Sequence, residues 1–381
     1  MMNFLRKRRS SNSSEDSIEE SQIKKSRKPP NTAFRQQRLK AWQPLLTPKS
    51  VIPFLVLLAV IFAPLGIAII YTTYNVQEVN IDYSHCGDQT DSFTSIPGKY
   101  TGFHFKQSTK PEFEWKVDGS RCVIQFNVPD LKPPLYLYYK LTNFYQNHRK
   151  YVESYDLDQL AGKALSSDDV TDSCKPLKHR QYNGEQKLIY PCGLIANSYF
   201  NDTISSPVLL NARNGENNQT YTFTDQDISW SSDRKHKFKK TKYKPEDVVP
   251  PPNWDKQYPD GYTEENMPDL LQMEHLQNWM RTAALPNFYK LYGKNTTSTM
   301  PSGTYQITVD LNYPVEIFGG SKSIVITTNS IFGGRNVSLG VVYIIVAVVS
   351  LVLGIGFLLQ FLIKPRRVGH DYLQQNYRDQ L

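Results

Sequence analysis

The sequence predicts a membrane protein in which two transmembrane α-helices flank a β-rich, sandwich-type ectodomain with short helical insertions. Three observations predict it. Two long apolar stretches of the 381-residue chain carry no charged residue. The entire net charge of +8 lies in the two tails outside them, and all four cysteines lie between them.

The first stretch is VIPFLVLLAVIFAPLGIAIIY, Val51 to Tyr71. As a helix its 21 residues rise about 31 Å, close to the hydrocarbon thickness of a bilayer. The second, Leu339 to Ile363, has 25 residues and spans with some tilt to spare. Neither shows an amphipathic face, which argues against two buried core helices. The first run is too long and too far from the start for a cleavable signal peptide, so it reads as an uncleaved signal-anchor. Pro64 should kink or loosen it, freeing a backbone carbonyl. Ser350 and Gly354 are four apart in the second, where small side chains let another helix approach.

Orientation follows from charge. Residues 1–50 hold 12 Lys/Arg against 4 Asp/Glu, and the tail after Ile363 holds 4 against 2. The rest is slightly acidic. Basic residues beside membrane spans mark the cytosolic side, so both tails are expected in the cytosol and residues 72–338 in the lumen or outside. The basic pI of about 9.0 is thus a topology signal, and no nucleic-acid partner is expected.

Cys86, Cys122, Cys174 and Cys192 all fall in this loop, as an oxidising compartment would produce. Their spacings lack the CxxC pairs of a zinc site. Four cysteines allow three connectivities. If Cys86 pairs with Cys122 and Cys174 with Cys192, loop-closure entropy gives about 4 and about 3 kcal/mol. Glycosylation sequons at Asn201, Asn218, Asn295 and Asn336 share the loop, whereas a match at Asn12 lies in the cytosolic tail. Asn336 is three residues from the second span, where access to the glycosylation machinery is restricted.

Residues 1–30 are Ser-rich and charged, lack the apolar content to fold, and form a disordered tail. Their basic cluster Arg6 to Arg9 suits contact with anionic lipid. Residues 31–50 form a basic juxtamembrane segment. Asn31 or Thr32 can cap a short helix there, with Phe34, Leu39, Ala41 and Trp42 on one side and Arg35, Arg38 and Lys40 on the other. Such a segment lies on the membrane surface or docks, extended, on a partner's cytosolic domain.

Within the loop, alternation predicts strands over 76–83, 122–126, 135–141, 304–311 and 323–328. Their wide separation favours a sandwich over simple hairpins. Helical spacing appears in NFYQNHRKYV (143–152) and DLLQMEHLQNWMRTAA (269–284). The prolines of 248–262 impose a polyproline or turn path and no ladder.

No catalytic motif is present: no GxSxG, HExxH, Walker loop or GxGxxG opening a helix. His148 and Arg149 are the most tempting catalytic residues, against the plainer reading of a packed aromatic helix with one satisfied histidine. The spans hold no ionisable pathway, which weighs against a channel subunit. A lumenal lectin or hydrolase would need chemistry that these motifs do not supply. No cofactor, metal site or catalytic residue is expected.

Several longer motifs occur in order: NFYQNHRKY, PCGLIANSYFNDT (191–203), DISW (227–230), NWMRTAALPNFYKLYG (278–293), NYPVEIFGGSKSIVITT (312–328) and GGRN (333–336). Over nearly the whole chain they resemble the cell division control protein 50 family, the β-subunits of type-IV P-type ATPase phospholipid flippases. The segment 24–44 and the IDYSHC stretch (81–86) look most like the family's fungal founding member, not its plasma-membrane paralogue. The short tail after Ile363 departs from the family in lacking an acidic run.

The resemblance implies sequential disulfides, Cys86 with Cys122 and Cys174 with Cys192, and an antiparallel β-sandwich with helical insertions. It implies a non-catalytic subunit in a heterodimer with an ATPase α-subunit, which hydrolyses the ATP. That complex would move phosphatidylserine and phosphatidylethanolamine to the cytosolic leaflet of trans-Golgi and endosomal membranes. Phe34, Arg35, Arg38 and Trp42, with Ser350 and Gly354, are the expected partner contacts.

Overall fold

A computed structural model of the protein describes residues 30–39, 47–106, 110–210, 219–329 and 334–364. Helix α1 spans Pro48–Tyr74 and α6 spans Val337–Ile363. Both outrun their apolar cores because their ends are capped. Pro48 sits at the first helical position, and the Thr47 N–H donates to Ser50 Oγ. The Asn336 side chain accepts from the Ser338 N–H. The first helix runs unbroken through Pro53 and Pro64.

Between the helices the chain forms β1 (Glu78–Asp82), β2 (Thr94–Ser95), β3 (Thr101–His104), β4 (Phe113–Asp118), β5 (Arg121–Val128) and β6 (Leu135–Leu141). An insertion follows, with helical turns α2 (Arg149–Val152), α3 (Leu157–Leu160), α4 (Leu194–Asn197) and α5 (Glu274–Trp279). It also carries strands β7 (His179–Tyr182), β8 (Glu185–Ile189), β9 (Thr203–Ile204), β10 (Val208–Leu209), β11 (Gln219–Thr220) and β12 (Val248–Val249). The chain then returns through β13 (Phe288–Asn295), β14 (Gly303–Asp310) and β15 (Lys322–Thr328).

Two large antiparallel sheets result, beside a small three-stranded sheet β12-β8-β7 in the insertion. One has the order β13-β6-β15-β1-β3; the other runs β11-β10-β14-β5-β4-β2, with β9 also on β14. Alternation decides which residues face in. Leu135, Leu137, Tyr139 and Leu141 of β6, Ile124 and Phe126 of β5, and Tyr305, Ile307 and Val309 of β14 join one buried core. The five strands read from alternation all form, within two residues of their expected limits.

Other expectations are corrected. Only Arg149–Val152 of the 143–152 segment is helical. Asn143 adopts a left-handed φ of 57°, its N–H donates to Asn287 Oδ1 and its side chain to the Phe318 carbonyl, while Asn147 Nδ2 donates to the Ala284 carbonyl and Gln146 Oε1 accepts from the Ala283 N–H. Such tertiary bonds outcompete the local helix. The second segment is helical only over Glu274–Trp279, because Lys290 Nζ donates to the carbonyls of Asn278, Trp279 and Arg281 and caps its end. Prolines do not exclude a ladder at 248–249, which pair in parallel with Leu188 and Ile189. Those two residues precede the first proline of that run.

The disulfides join Cys86 to Cys122 and Cys174 to Cys192. The first ties the turn after β1 to β5, one sheet to the other. The second closes the insertion. Replacing Cys174 and Cys192 by serine is expected to cost about 3 kcal/mol, from the 18-residue loop it closes. Thermal unfolding of the purified chain measures this, and an unchanged midpoint would contradict it.

Candidate partner interface

The helices form an antiparallel pair. Ala59, Gly66, Ile69 and Thr73 of α1 are buried, as are Gly340, Ala347, Ser350 and Gly354 of α6. Both sets have the spacing 7-3-4, a heptad seam. At Gly66 and Gly340 the backbones nearly touch: a Cβ built on either glycine lies 3.1 Å from the other's carbonyl oxygen. Phe62 meets Tyr343 edge-on at 5.3 Å. Ser350 and Gly354, expected to receive a partner helix, instead face α1 of the same chain, with Leu55 Cβ 3.6 Å from a Cβ on Gly354. The small residues are consumed by this internal seam. The outward faces, with Phe54, Leu57, Val60 and Ile61 on α1 and Val342, Ile345, Val349 and Val352 on α6, lie bare.

The ectodomain is bolted by a buried ion pair. Lys322 Nζ donates to Asp202 Oδ2 at 2.8 Å and to the Tyr313 carbonyl at 2.6 Å. The Tyr83 hydroxyl donates to Asp202 Oδ2 at 3.0 Å, and the N–H groups of Asn312 and Tyr313 donate to Oδ1 at 2.6 Å each. Burial, and then the Asp202 carboxylate, push the Tyr83 pKa well above its ordinary value. Asp202, Lys322 and Tyr83 come from three of the segments that carried the resemblance. Those segments also meet through aromatic rings: Phe144 lies 5.6 Å from Trp279 and 5.2 Å from Phe318. Trp279 Nε1 donates to the Ile195 carbonyl, and Trp254 Nε1 to that of Ala196. Burial and then Arg281 lower Lys290 to about 7, and burial lowers His275 below its ordinary value.

The other expected residues are scattered. Thr32 Oγ1 accepts from the Arg35 N–H, and a single turn closes at Gln37, whose φ is 53°. The 6→1 bond from the Arg38 N–H to the Ala33 carbonyl completes it. The short helix expected there is thus one turn among the described residues, presenting Phe34, Arg35 and Arg38 exposed. Trp42 and Asn218 lie outside the described residues. His148 is exposed rather than packed, and Arg149 pairs with Glu153 at 3.1 Å on the surface. Asn201 and Asn295 are half-buried, while Asn336 is exposed at the start of α6. No cluster of metal-ligating side chains occurs among the described residues. Sequence reasoning missed the Gly66–Gly340 contact, although the 7-3-4 spacing in both runs was the available signal.

A two-span chain with bare outer helix faces and a bolted ectodomain has close relatives. Residues 69–367 match the model of the LEM3 (ligand-effect modulator 3) family / CDC50 family. Over 365 residues the chain is 47% identical to the phospholipid-transporting ATPase accessory subunit CRF1 of Saccharomyces cerevisiae, covering 93% of this chain and 90% of that protein. It is 42% identical over 387 residues to the accessory subunit CDC50 of Chaetomium thermophilum, with coverages of 95% and 94%. To the mouse cell cycle control protein 50A it is 34% identical over 345 residues, with coverages of 87% and 88%. The matched region takes in the end of the first span, the whole ectodomain and the second span, so the chain belongs to the LEM3/CDC50 family.

Proposed function

We propose that this chain is the non-catalytic β-subunit of a type-IV P-type ATPase phospholipid flippase. The observation that carries it is the family match across almost the entire chain, joined to a helix pair whose outer faces are bare and uncharged. Relatives in yeast and Chaetomium are named phospholipid-transporting ATPase accessory subunits. In lipid, such faces gain from packing on another helix through van der Waals contact.

Both termini lie in the cytosol, and the 72–338 domain lies in the lumen, where Asn201, Asn218, Asn295 and Asn336 are presented for glycosylation. The ectodomain covers the ATPase's short lumenal loops. The segment with Phe34, Arg35, Arg38 and Trp42 touches its cytosolic face. Binding one state of the ATPase better than another tunes its cycle. The complex leaves the endoplasmic reticulum for trans-Golgi and endosomal membranes, where it moves phosphatidylserine and phosphatidylethanolamine to the cytosolic leaflet.

Deleting the gene and following the candidate ATPase tests this. The ATPase is expected to stay in the endoplasmic reticulum, and phosphatidylserine flipping to fall. Normal export together with normal flipping would refute the proposal.

A further inference from the structure

Two adjoining cavities, of about 380 and 510 Å³, open between the sandwich and the insertion, and Asn201 lines both. Asn201 is the acceptor of the Asn201-Asp202-Thr203 sequon. Its neighbours are fixed: Asp202 by Lys322 and Tyr83, and Thr203 by a 2.5 Å bond from its hydroxyl to Asp310. The backbone at Asn201 is thus pinned on its C-terminal side, and its carbonyl accepts from Asn312 Nδ2. Its Oδ1 is buried with no hydrogen-bond partner, and so is Nδ1 of His275 across the first cavity. Unpaired buried polar atoms are rare and call for a missing group.

The walls say which group. Tyr199, Trp254 and Tyr292 line the first cavity, and Asn253 and Gln257 are exposed at its rim. Neither rim side chain makes a hydrogen bond among the described residues. Aromatic walls with a few amides at the edge suit a pyranose, which has an apolar C–H face and polar equatorial groups. The cavities are also lined by the residue to which a sugar would be joined.

We propose that the N-linked glycan on Asn201 is seated in the chain itself. Its proximal N-acetylhexosamine residues would lie in this groove, bonded by Asn253 and Gln257 and supplying partners to Asn201 Oδ1 and His275 Nδ1. The inference rests on the lumenal placement of the ectodomain. Transfer occurs before the groove closes: the Nδ2–C1 bond forms as the C1–O bond to a polyprenyl-diphosphate oligosaccharide breaks. The diphosphate leaves with the electron pair, and the amide proton goes to base.

The test is site-resolved digestion of the full chain, purified in mild detergent with its partner, by an endoglycosidase that cuts between the two proximal sugars. Release from Asn201 is expected to be at least about tenfold slower folded than denatured. Asn253→Ala with Gln257→Ala should remove most of that protection without moving the unfolding midpoint. Equal release folded and denatured would overturn the inference. So would an unmodified Asn201 on a chain glycosylated elsewhere, or a double variant as protected as the parent. Sugar on none of the four lumenal sequons would overturn the lumenal placement itself, and this inference with it.

Discussion

Lys322→Met is expected to destabilise the ectodomain by about 3–5 kcal/mol, the usual cost of leaving a buried charge without its partner. The pair is fully enclosed: Lys322 and Asp202 side chains are 5% and 0% exposed. Removing the ammonium leaves the carboxylate with only the Tyr83 hydroxyl and two backbone N–H groups, and no counter-charge. It also strips the Tyr313 carbonyl of its donor. The pair itself need not add much to stability, since desolvation offsets its attraction. The asymmetry is what the experiment reads. Adding Asp202→Asn to Lys322→Met should recover much of the loss, because the amide oxygen still accepts the two N–H bonds and no charge is stranded. The sequon at Asn201 survives that change. For a domain of this size, the single variant should melt roughly 10 °C lower. Tryptophan fluorescence of the purified chain follows it, since Trp115 and Trp279 are buried. A drop of only a degree or two would mean that water reaches the pair. In cells the same variant should hold the chain and its ATPase in the endoplasmic reticulum.

How far the sequence revealed this structure depends on the range of each signal. Alternation along β6, LYLYYKL, places every second residue in the core, and the strand forms at 135–141 as read. Confinement of all four cysteines between the spans needed no tertiary reading, and they close two disulfides within that loop. Helical spacing failed at 143–152 because the decisive bonds run to residues about 140 to 175 positions away. The β7–β8 hairpin, by contrast, was locally written: Asn183-Gly184 carries positive φ at both turn positions, as a tight hairpin needs, and this signal went unread. The Asp202–Lys322 pair could not be read from composition, because nothing local distinguishes a buried lysine from a solvated one. Ser350 and Gly354 were recognised as positions where another helix comes close, and within this chain that helix is α1. A small-residue face shows that a helix comes close without showing which helix.

That ambiguity leads to the second large effect, at Gly340. A Cβ there would lie 2.5 Å from Ile70 Cγ1, and also 3.1 Å from the Gly66 carbonyl oxygen and 3.2 Å from the Ile70 nitrogen. Ile70 Cγ1 is bonded directly to the Cβ of a β-branched side chain that is stiff in a helix, and the two backbone atoms cannot move aside either. Gly340→Leu must therefore push α1 and α6 apart at the ends that adjoin the ectodomain, at an overpacking cost of about 1–3 kcal/mol. In lipid no hydrophobic force draws them back together, so lost contact is not replaced. The outer faces then no longer present one rigid surface, and recovery of the partner ATPase in mild detergent should fall by about 5- to 150-fold. Gly354→Ala is the control, because its nearest neighbour would be Leu55 Cβ at an ordinary 3.6 Å. It should leave recovery unchanged. A disulfide between Leu55→Cys and Gly354→Cys reports the seam directly, since that separation suits an S–S bridge. It should form in the parent background, and its loss with Gly340→Leu would mean that the separation runs the whole length of the seam. If the bridge fails while the ATPase is still recovered in full, the partner grips the ectodomain alone and the helix faces are not its docking surface.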